Sequence, residues 1–282
     1  MSIANEEIYL GCKEINECDG RVAEFYSDKE KSNNIFNCLT NEYIIINNSN
    51  KNYNEYYKWN GSKYIKVEHR TLDNGWTGVV KARNPQQVCA IDMLMNNDIT
   101  VKILAGKFGV GKDFLMIAAA LDLIKKNVFD KIVWVRNNIS VKNTKDLGAL
   151  PGTEFDKLLP FVMPLVDHIG DIAGLEMLIK QNRVELLHLG YARGRDLRNS
   201  IIYVTECENN TKEHVQLLIG RVGEGSALWL NGDYKQTDST VFEKNNGLLT
   251  AVNKLKGHKR FGYVHMVKSE RSETAAMADL LD

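Results

Sequence analysis

The chain has 282 residues, of which 44% are hydrophobic and 26% charged, enough for one large domain or one large domain with a small companion. Its 36 basic and 36 acidic residues cancel, which argues against a polyanion binder held by bulk charge. A local basic channel assembled from distant residues stays open.

The N-terminus, MSIANEEIYLGC, has no basic stretch followed by an apolar core, so no secretory signal is expected there. The five cysteines (12, 18, 38, 89 and 207) are odd in number and include no CxxC pair. They read as reduced thiols, and a cytoplasmic protein is expected. Residues 1–35 form a mixed N-terminal segment. Over 36–83 the composition turns rich in Asn, Ile and Tyr, and a small β spacer with its linker is predicted. NEYIII (41–46) reads as a strand and YYKWNGSKYIKV (56–67) as a hairpin whose Asn60-Gly61 pair suits a type I′ turn. Its aromatics, Tyr43, Tyr56, Tyr57, Trp59 and Tyr64, either pack the little sheet or stack on bases.

From Asn84 to Asp282 apolar strands alternate with amphipathic helices, the pattern of an α/β domain: a parallel sheet of the P-loop NTPase type with helices on both faces. Helices are predicted over 88–95, 113–126, near 172–181, 212–222, near 245–255 and 271–282. Strands are predicted over 100–106, 131–136, 184–189, 200–206, 227–233 and 263–267. The segment between 136 and 172, with three of the four prolines, reads as irregular. The most apolar run, 114–124, is interrupted by Asp122 and is too short to span a bilayer, so no membrane association is expected.

The strongest chemical signal is GKFGVGKD at 106–113, between a predicted strand and a predicted helix. A loop of this spacing can curl so that backbone N–H groups face an anion. The helix that follows adds its positive end, and the Lys112 ammonium can reach outer phosphates. Gly106, Lys107, Phe108, Gly109, Val110, Gly111, Lys112 and Asp113 are therefore candidate phosphate-loop residues for ATP. The hydroxyl residue normally found after the lysine, a magnesium ligand, is replaced by Asp113, whose carboxylate repels phosphate unless a divalent cation lies between them.

A second signal is IIYVTECEN (201–209). In P-loop enzymes this strand ends in Asp-Glu, the first carboxylate holding Mg2+ through water and the second orienting the attacking water. Here Thr205 stands at the first position and Glu206 at the second. The hydroxyl missing at 113 is thus present at 205, and the carboxylate missing at 205 is present at 113. Either the two positions have exchanged roles around the metal, with Asp113 and Thr205 as its candidate ligands, or the site has decayed. LNGDYKQTD (230–238) offers Asp233 and Gln236 as a γ-phosphate or water sensor. Arg221 and Arg271 are candidates to neutralise charge on a transferred phosphate. The arginines of YARGRDL (191–197) could contact nucleic acid or a neighbouring subunit.

These blocks, with ARNPQQVCAIDML, LGALPGTEFDKLLPFVMPLVD, RVGEGS and SERSETAAMADLL in the same order, resemble the PhoH family of P-loop ATPases, relatives of superfamily one helicases. NEYIIINN and WNGSKY resemble the β spacer of the longer PhoH proteins that carry a PIN ribonuclease domain. The resemblance implies that Asn84 and Gln87 contact the adenine edge and that 106–112 hold the phosphates. It further implies Glu206 as the catalytic carboxylate, Asp233 and Gln236 as the sensor, and Arg221 and Arg271 near the γ-phosphate, one from the next protomer of a ring. It also implies ATP and Mg2+ as cofactors, single-stranded RNA as a partner, and a homo-oligomeric ring, a hexamer by preference. Departures are Asp113, Thr205, Asn137 where the family has Pro, and Glu208 where it has Gln; no PIN domain and no nuclease activity are expected in this chain. The expected function is a weak or rewired Mg-dependent ATPase in RNA remodelling or metabolism. The alternative is a catalytically decayed, nucleotide-binding oligomeric scaffold.

Overall fold

The computed structural model describes residues 9–48, 53–136, 154–233, 236–237 and 240–270. The predicted C-terminal helix over 271–282, Arg271 and Asn137 lie outside the described residues.

The N-terminal part is a four-stranded sheet. Its strands are β1 (Cys12–Asn16), β2 (Tyr43–Asn48), β3 (Tyr53–Trp59) and β4 (Tyr64–Lys66), side by side in that order, with helix α1 (Gly20–Ser27) between β1 and β2. β1 runs parallel to β2, so the segment before residue 36 contributes a strand to the spacer sheet. The β3–β4 hairpin forms as predicted, but its turn is not type I′. Trp59 pairs with Tyr64 across a four-residue loop in which the Asn60 side chain accepts the Ser62 and Lys63 N–H groups. Only Gly61 of the Asn-Gly pair has positive φ, at 102°, and the Asx-type cap replaces the left-handed Asn that a two-residue turn demands. Tyr43, Tyr56, Tyr57, Trp59 and Tyr64 are all buried, so packing, not base stacking, is their role in this fold.

Strands β5 (Thr71–Asp73) and β6 (Val79–Lys81) make a small ribbon, followed by α2 (Pro85–Met95). Beyond it come β7 (Val101–Gly106), α3 (Lys112–Lys125), β8 (Lys131–Arg136), α4 (Glu154–Ile169), α5 (Ile172–Lys180) and β9 (Val184–His188). The chain continues with β10 (Ser200–Val204), α6 (Lys212–Ile219), β11 (Ala227–Gly232), α7 (Thr240–Lys244), α8 (Gly247–Leu255) and β12 (Phe261–Met266). Six strands form one wholly parallel sheet in the order β12-β7-β11-β10-β8-β9, with apolar cores on both faces. Because the chain leaves β7 toward one edge and later returns to flank it on both sides, a topological switch opens a crevice at the carboxyl ends of β7 and β11. That is where ligands bind in open α/β sheets.

The stretch between 136 and 172 departs from expectation, because 154–169 is helical with Pro160 and Pro164 inside the helix. Each proline deletes a backbone hydrogen bond, at about 3 kcal/mol in a helix interior. Val162, Leu165, Val166 and Ile169 lie at helical spacing and are buried, and Pro160 faces solvent. Burial of that stripe, at roughly 1.5–3 kcal/mol per side chain, offsets the lost bonds.

The spacer sheet shares a core with the large domain. Tyr43, Ile45, Tyr56, Val67, Leu72 and Val80 belong to the same apolar cluster as α2 and α3. Under it, Asp92 of α2 accepts from the Tyr43 hydroxyl (2.9 Å) and the Lys58 ammonium (2.7 Å), and Asn41 Nδ2 donates to the Lys259 and Phe261 carbonyls.

Candidate functional site: a glycine loop with a tethered carboxylate

β7 ends at the switch point, and the loop after it turns on glycines. Gly106, Gly109 and Gly111 have φ of 144°, 77° and 87°. These angles are open to glycine and costly for other residues. At Gly106 a Cβ would also lie 2.2 Å from the Met266 carbonyl oxygen of β12. Gly111 caps α3 without a side chain, so the first N–H groups of that helix face outward, and the Leu115 N–H bonds back to the Gly111 carbonyl at 3.0 Å. Lys112 Nζ donates to the Gly106 and Lys107 carbonyls at 2.6 and 2.9 Å, which folds the ammonium back across the loop. Val110 is fully buried and pins the loop, while Phe108 at its tip is 67% exposed.

Asp113 is in the first turn of α3. Its Oδ1 accepts from the Tyr203 hydroxyl at 3.0 Å and from Asn231 Nδ2, and Asn231 Nδ2 lies 3.2 Å from the same hydroxyl. Tyr203 and Asn231 stand near the carboxyl ends of β10 and β11, so one carboxylate oxygen ties α3 to both strands. Burial, then the Asp113 charge, hold the Tyr203 phenol well above its usual pKa, which keeps it a donor. Thr205 follows Tyr203 by two residues, just past the strand end, and is half-buried. His168 of α4, its ring 5.3 Å from Phe114, faces the same corner; burial lowers its pKa while the Asp113 charge opposes.

Beyond β10 the backbone turns at Glu206, whose φ of 50° is left-handed, and the Glu206 side chain is exposed. The next acid is the reverse case. Glu208 is 7% exposed, and its Oε2 accepts from the Asp233 backbone N–H at 3.1 Å. A Cβ at Gly232 would sit 2.2 Å from that oxygen, so the strand end can approach the carboxyl only because residue 232 is glycine. Burial pushes the Glu208 pKa up to about 8. The backbone N–H groups of Glu208 and Asp233 and the Lys112 charge pull against that rise, and the Glu206 charge adds to it. Asp233 is buried; Gln236 is exposed, with its N–H bonded to the Asp233 carbonyl at 2.9 Å.

Asn84 caps α2 by accepting the Gln87 N–H (3.0 Å) and donates to Glu270 Oε1 (2.8 Å). Gln87 accepts from the Arg83 N–H (2.8 Å) and donates to the Val110 carbonyl (3.3 Å). Both amides thus brace the loop in this structure. Glu270 docks there too, its N–H bonded to the Gly109 carbonyl at 3.2 Å. Arg221 sits elsewhere: Leu197 N–H bonds the Arg221 carbonyl at 3.1 Å, close to the amino end of β10, whereas Glu206 follows its carboxyl end. A five-residue strand spans about 17 Å. The described site therefore gathers 84, 87, 106–113, 205, 206, 233 and 236 at one edge of the sheet and leaves Arg221 at the other. Reading the sequence alone missed Tyr203, Asn231 and Glu270 as parts of this corner, and marked Glu208 only as a departure from the family's Gln. An Asn within the apolar run ALWLNG was the one available signal, since a buried amide needs partners.

Among the described residues no group of three or more His, Cys, Asp or Glu side chains could hold a metal ion, and no helix is long and apolar enough to cross a membrane.

A positive-φ glycine loop and a lysine, set between a central parallel strand and a helix at the carboxyl edge, define a fold of the P-loop NTPase class. More narrowly, the chain belongs to the PhoH-like protein family, whose model matches residues 79–279. Over 217 residues it is 36% identical to protein PhoH2 of Bacillus subtilis, covering 72% of this chain and 48% of that protein. Over 201 residues it is 30% identical to protein PhoH2 of Mycolicibacterium smegmatis, covering 70% and 46%. The chain thus spans about half the length of these relatives. Among solved structures, Pif1 helicase from Candida albicans matches with a TM-score of 0.38 and 13% identity, over 72% of this chain and 44% of that one.

Proposed function

We propose that the chain binds ATP on the loop 106–113 and hydrolyses it weakly with Mg2+, in the service of RNA remodelling by a ring of subunits. The observation that carries the nucleotide reading is the loop itself. Three left-handed glycines, an outward-facing helix start and the Lys112 ammonium converge at the sheet's switch point. Backbone N–H groups in such an arrangement favour an anion, and a triphosphate presents the charge density they suit.

Oxygen donors from Asp113 and Thr205 suit a hard cation such as Mg2+, which takes few protein ligands and completes its shell with phosphate oxygens and water. Asp113 Oδ1 is committed to Tyr203 and Asn231, so its Oδ2 is the atom with capacity for the cation. When bound, Mg2+ would neutralise charge on the outer phosphates. Glu206, exposed beside the loop, would orient the attacking water, and Asp233 with Gln236 would report the γ-phosphate. Arg221, at the far end of β10, suits a neighbouring subunit's nucleotide better than its own. Arg271 follows Glu270, whose backbone is bonded to the loop.

The test is phosphate release with Mg2+, comparing the natural chain with Glu206→Gln. Slow release that the variant loses supports an ATPase. The tethering of Asp113 favours a second reading, a nucleotide-gated oligomeric scaffold, and binding without release in either protein would select it.

A further inference from the structure

A trans peptide points its C=O and the following N–H in opposite directions, so whatever holds a carbonyl also aims the next N–H. No peptide among the described residues is cis. In the glycine loop, residues from outside it hold two carbonyls. The Gly109 carbonyl accepts the Glu270 N–H at 3.2 Å, and the Val110 carbonyl accepts from Gln87 Nε2 at 3.3 Å. The N–H groups aimed by these contacts belong to Val110 and Gly111, and among the described residues no acceptor meets either. Open backbone donors on adjacent residues suit an anion.

Both anchors are themselves fixed. Gln87 Oε1 accepts the Arg83 N–H at 2.8 Å, which turns Nε2 toward the loop, and a Cβ at Gly111 would lie 3.5 Å from that nitrogen. Glu270 Oε1 accepts from Asn84 Nδ2 at 2.8 Å, while Asn84 Oδ1 caps α2 through the Gln87 N–H. The oxygen and the nitrogen of each amide thus already serve the loop or the helix start. We propose that Gln87 and Glu270 are positioning residues of the phosphate loop, holding the Val110 and Gly109 carbonyls outward so that the Gly111 and Val110 N–H groups face the anion, and that Gln87 does not read the base. This rests on the reading of 106–113 as a phosphate site. Donors set before the ligand arrives need no reorganisation on binding, whereas a released peptide can turn its carbonyl toward phosphate and repel it.

The experiment is calorimetry with Mg2+ and two ligands, ATP and base-free inorganic tripolyphosphate. The natural chain is compared with Gln87→Met, which keeps the side-chain length and loses the donor. The folded variant should bind both ligands about three- to tenfold more weakly, by the same factor, the contribution of one hydrogen bond. Loss confined to ATP, no loss with either ligand, or a natural chain that binds ATP but not tripolyphosphate overturns the proposal. Glu270→Ala and Glu270→Gln remove the same charge, but only the second keeps an acceptor for Asn84. Glu270→Ala should therefore bind both ligands more weakly than Glu270→Gln, and equal affinities for the pair also overturn the proposal. Should Gln87→Met fail to fold, this pair decides alone. A natural chain that binds neither ligand refutes the phosphate-site reading itself, a result distinct from unequal losses.

Discussion

Asp113 places a carboxyl group in the loop proposed to hold phosphate, and its surroundings explain how the fold accommodates it. Tyr203 and Asn231 both donate to one of its oxygens, and hydrogen bonds to a charged group contribute about 1.5–3 kcal/mol. Tyr203→Phe should therefore lower the free energy of unfolding by an amount in that range, measured by denaturant unfolding. If Asp113 and Thr205 have exchanged roles around the metal, Asp113→Thr alone should reduce phosphate release and Asp113→Thr with Thr205→Asp should restore it; a single variant faster than the natural chain would refute the exchange. Glu208 gives a stability prediction of its own. Its folded pKa lies above its unfolded value, so the native state holds the extra proton between about pH 4.5 and 8, and stability falls as pH rises through that window. Glu208→Gln should gain on the natural chain from about pH 5 to 8 and hold a constant advantage above, in unfolding curves taken across pH. The glycine loop was legible in the sequence because its requirements, positive φ and a lysine at fixed spacing, are local. The partners of Asp113 were not legible, because they arrive from strands 90 and 118 residues away.

Elements were read well wherever pattern and packing agree. The strands of the large sheet are short apolar runs, and α2, α3, α5 and α8 follow helical spacing, so each was visible from residues alone. The exceptions have physical causes. In α4 the prolines argue against a helix locally, and the stripe Val162, Leu165, Val166 and Ile169 overrides them only because α3 and α5 are there to cover it. In the β3–β4 turn an Asn side chain supplies the hydrogen bonds that the backbone of a tighter turn would make. β7 holds a further surprise, Lys102, fully buried with Nζ donating to the Leu94 carbonyl and lying 5.0 Å from the Trp229 ring centre. Burial drives its pKa down to about 7. The unfolded chain therefore binds more protons than the native one between about pH 7 and 10.5, and this residue's contribution to stability rises with pH over that window. Lys102→Met should be favoured over the natural chain most strongly near pH 6, with the difference shrinking toward pH 10. A difference that does not vary with pH would contradict a neutral amine in the sheet.

At the scale of the whole molecule, the spacer sheet and the P-loop domain share one apolar cluster and the Asp92 network, so the sheet supports the helix that carries Asn84 and Gln87. A fragment beginning at residue 84 would expose that face of α2 and should lose cooperative unfolding. The distance between Arg221 and the loop belongs to this scale as well. If Arg221 serves the adjoining subunit, sedimentation should show assembly that strengthens with ATP and Mg2+, and Arg221→Ala should lower phosphate release without weakening nucleotide affinity in the isolated subunit. All of this depends on the loop holding a nucleotide. Calorimetric titration of the folded chain with ATP and Mg2+ tests that most directly. The account predicts saturable binding below millimolar ligand, weakened at least tenfold by Lys112→Ala, the loss of one charge-assisted phosphate contact. No binding at millimolar ATP, or a Lys112→Ala variant that binds as well as the natural chain, would contradict it.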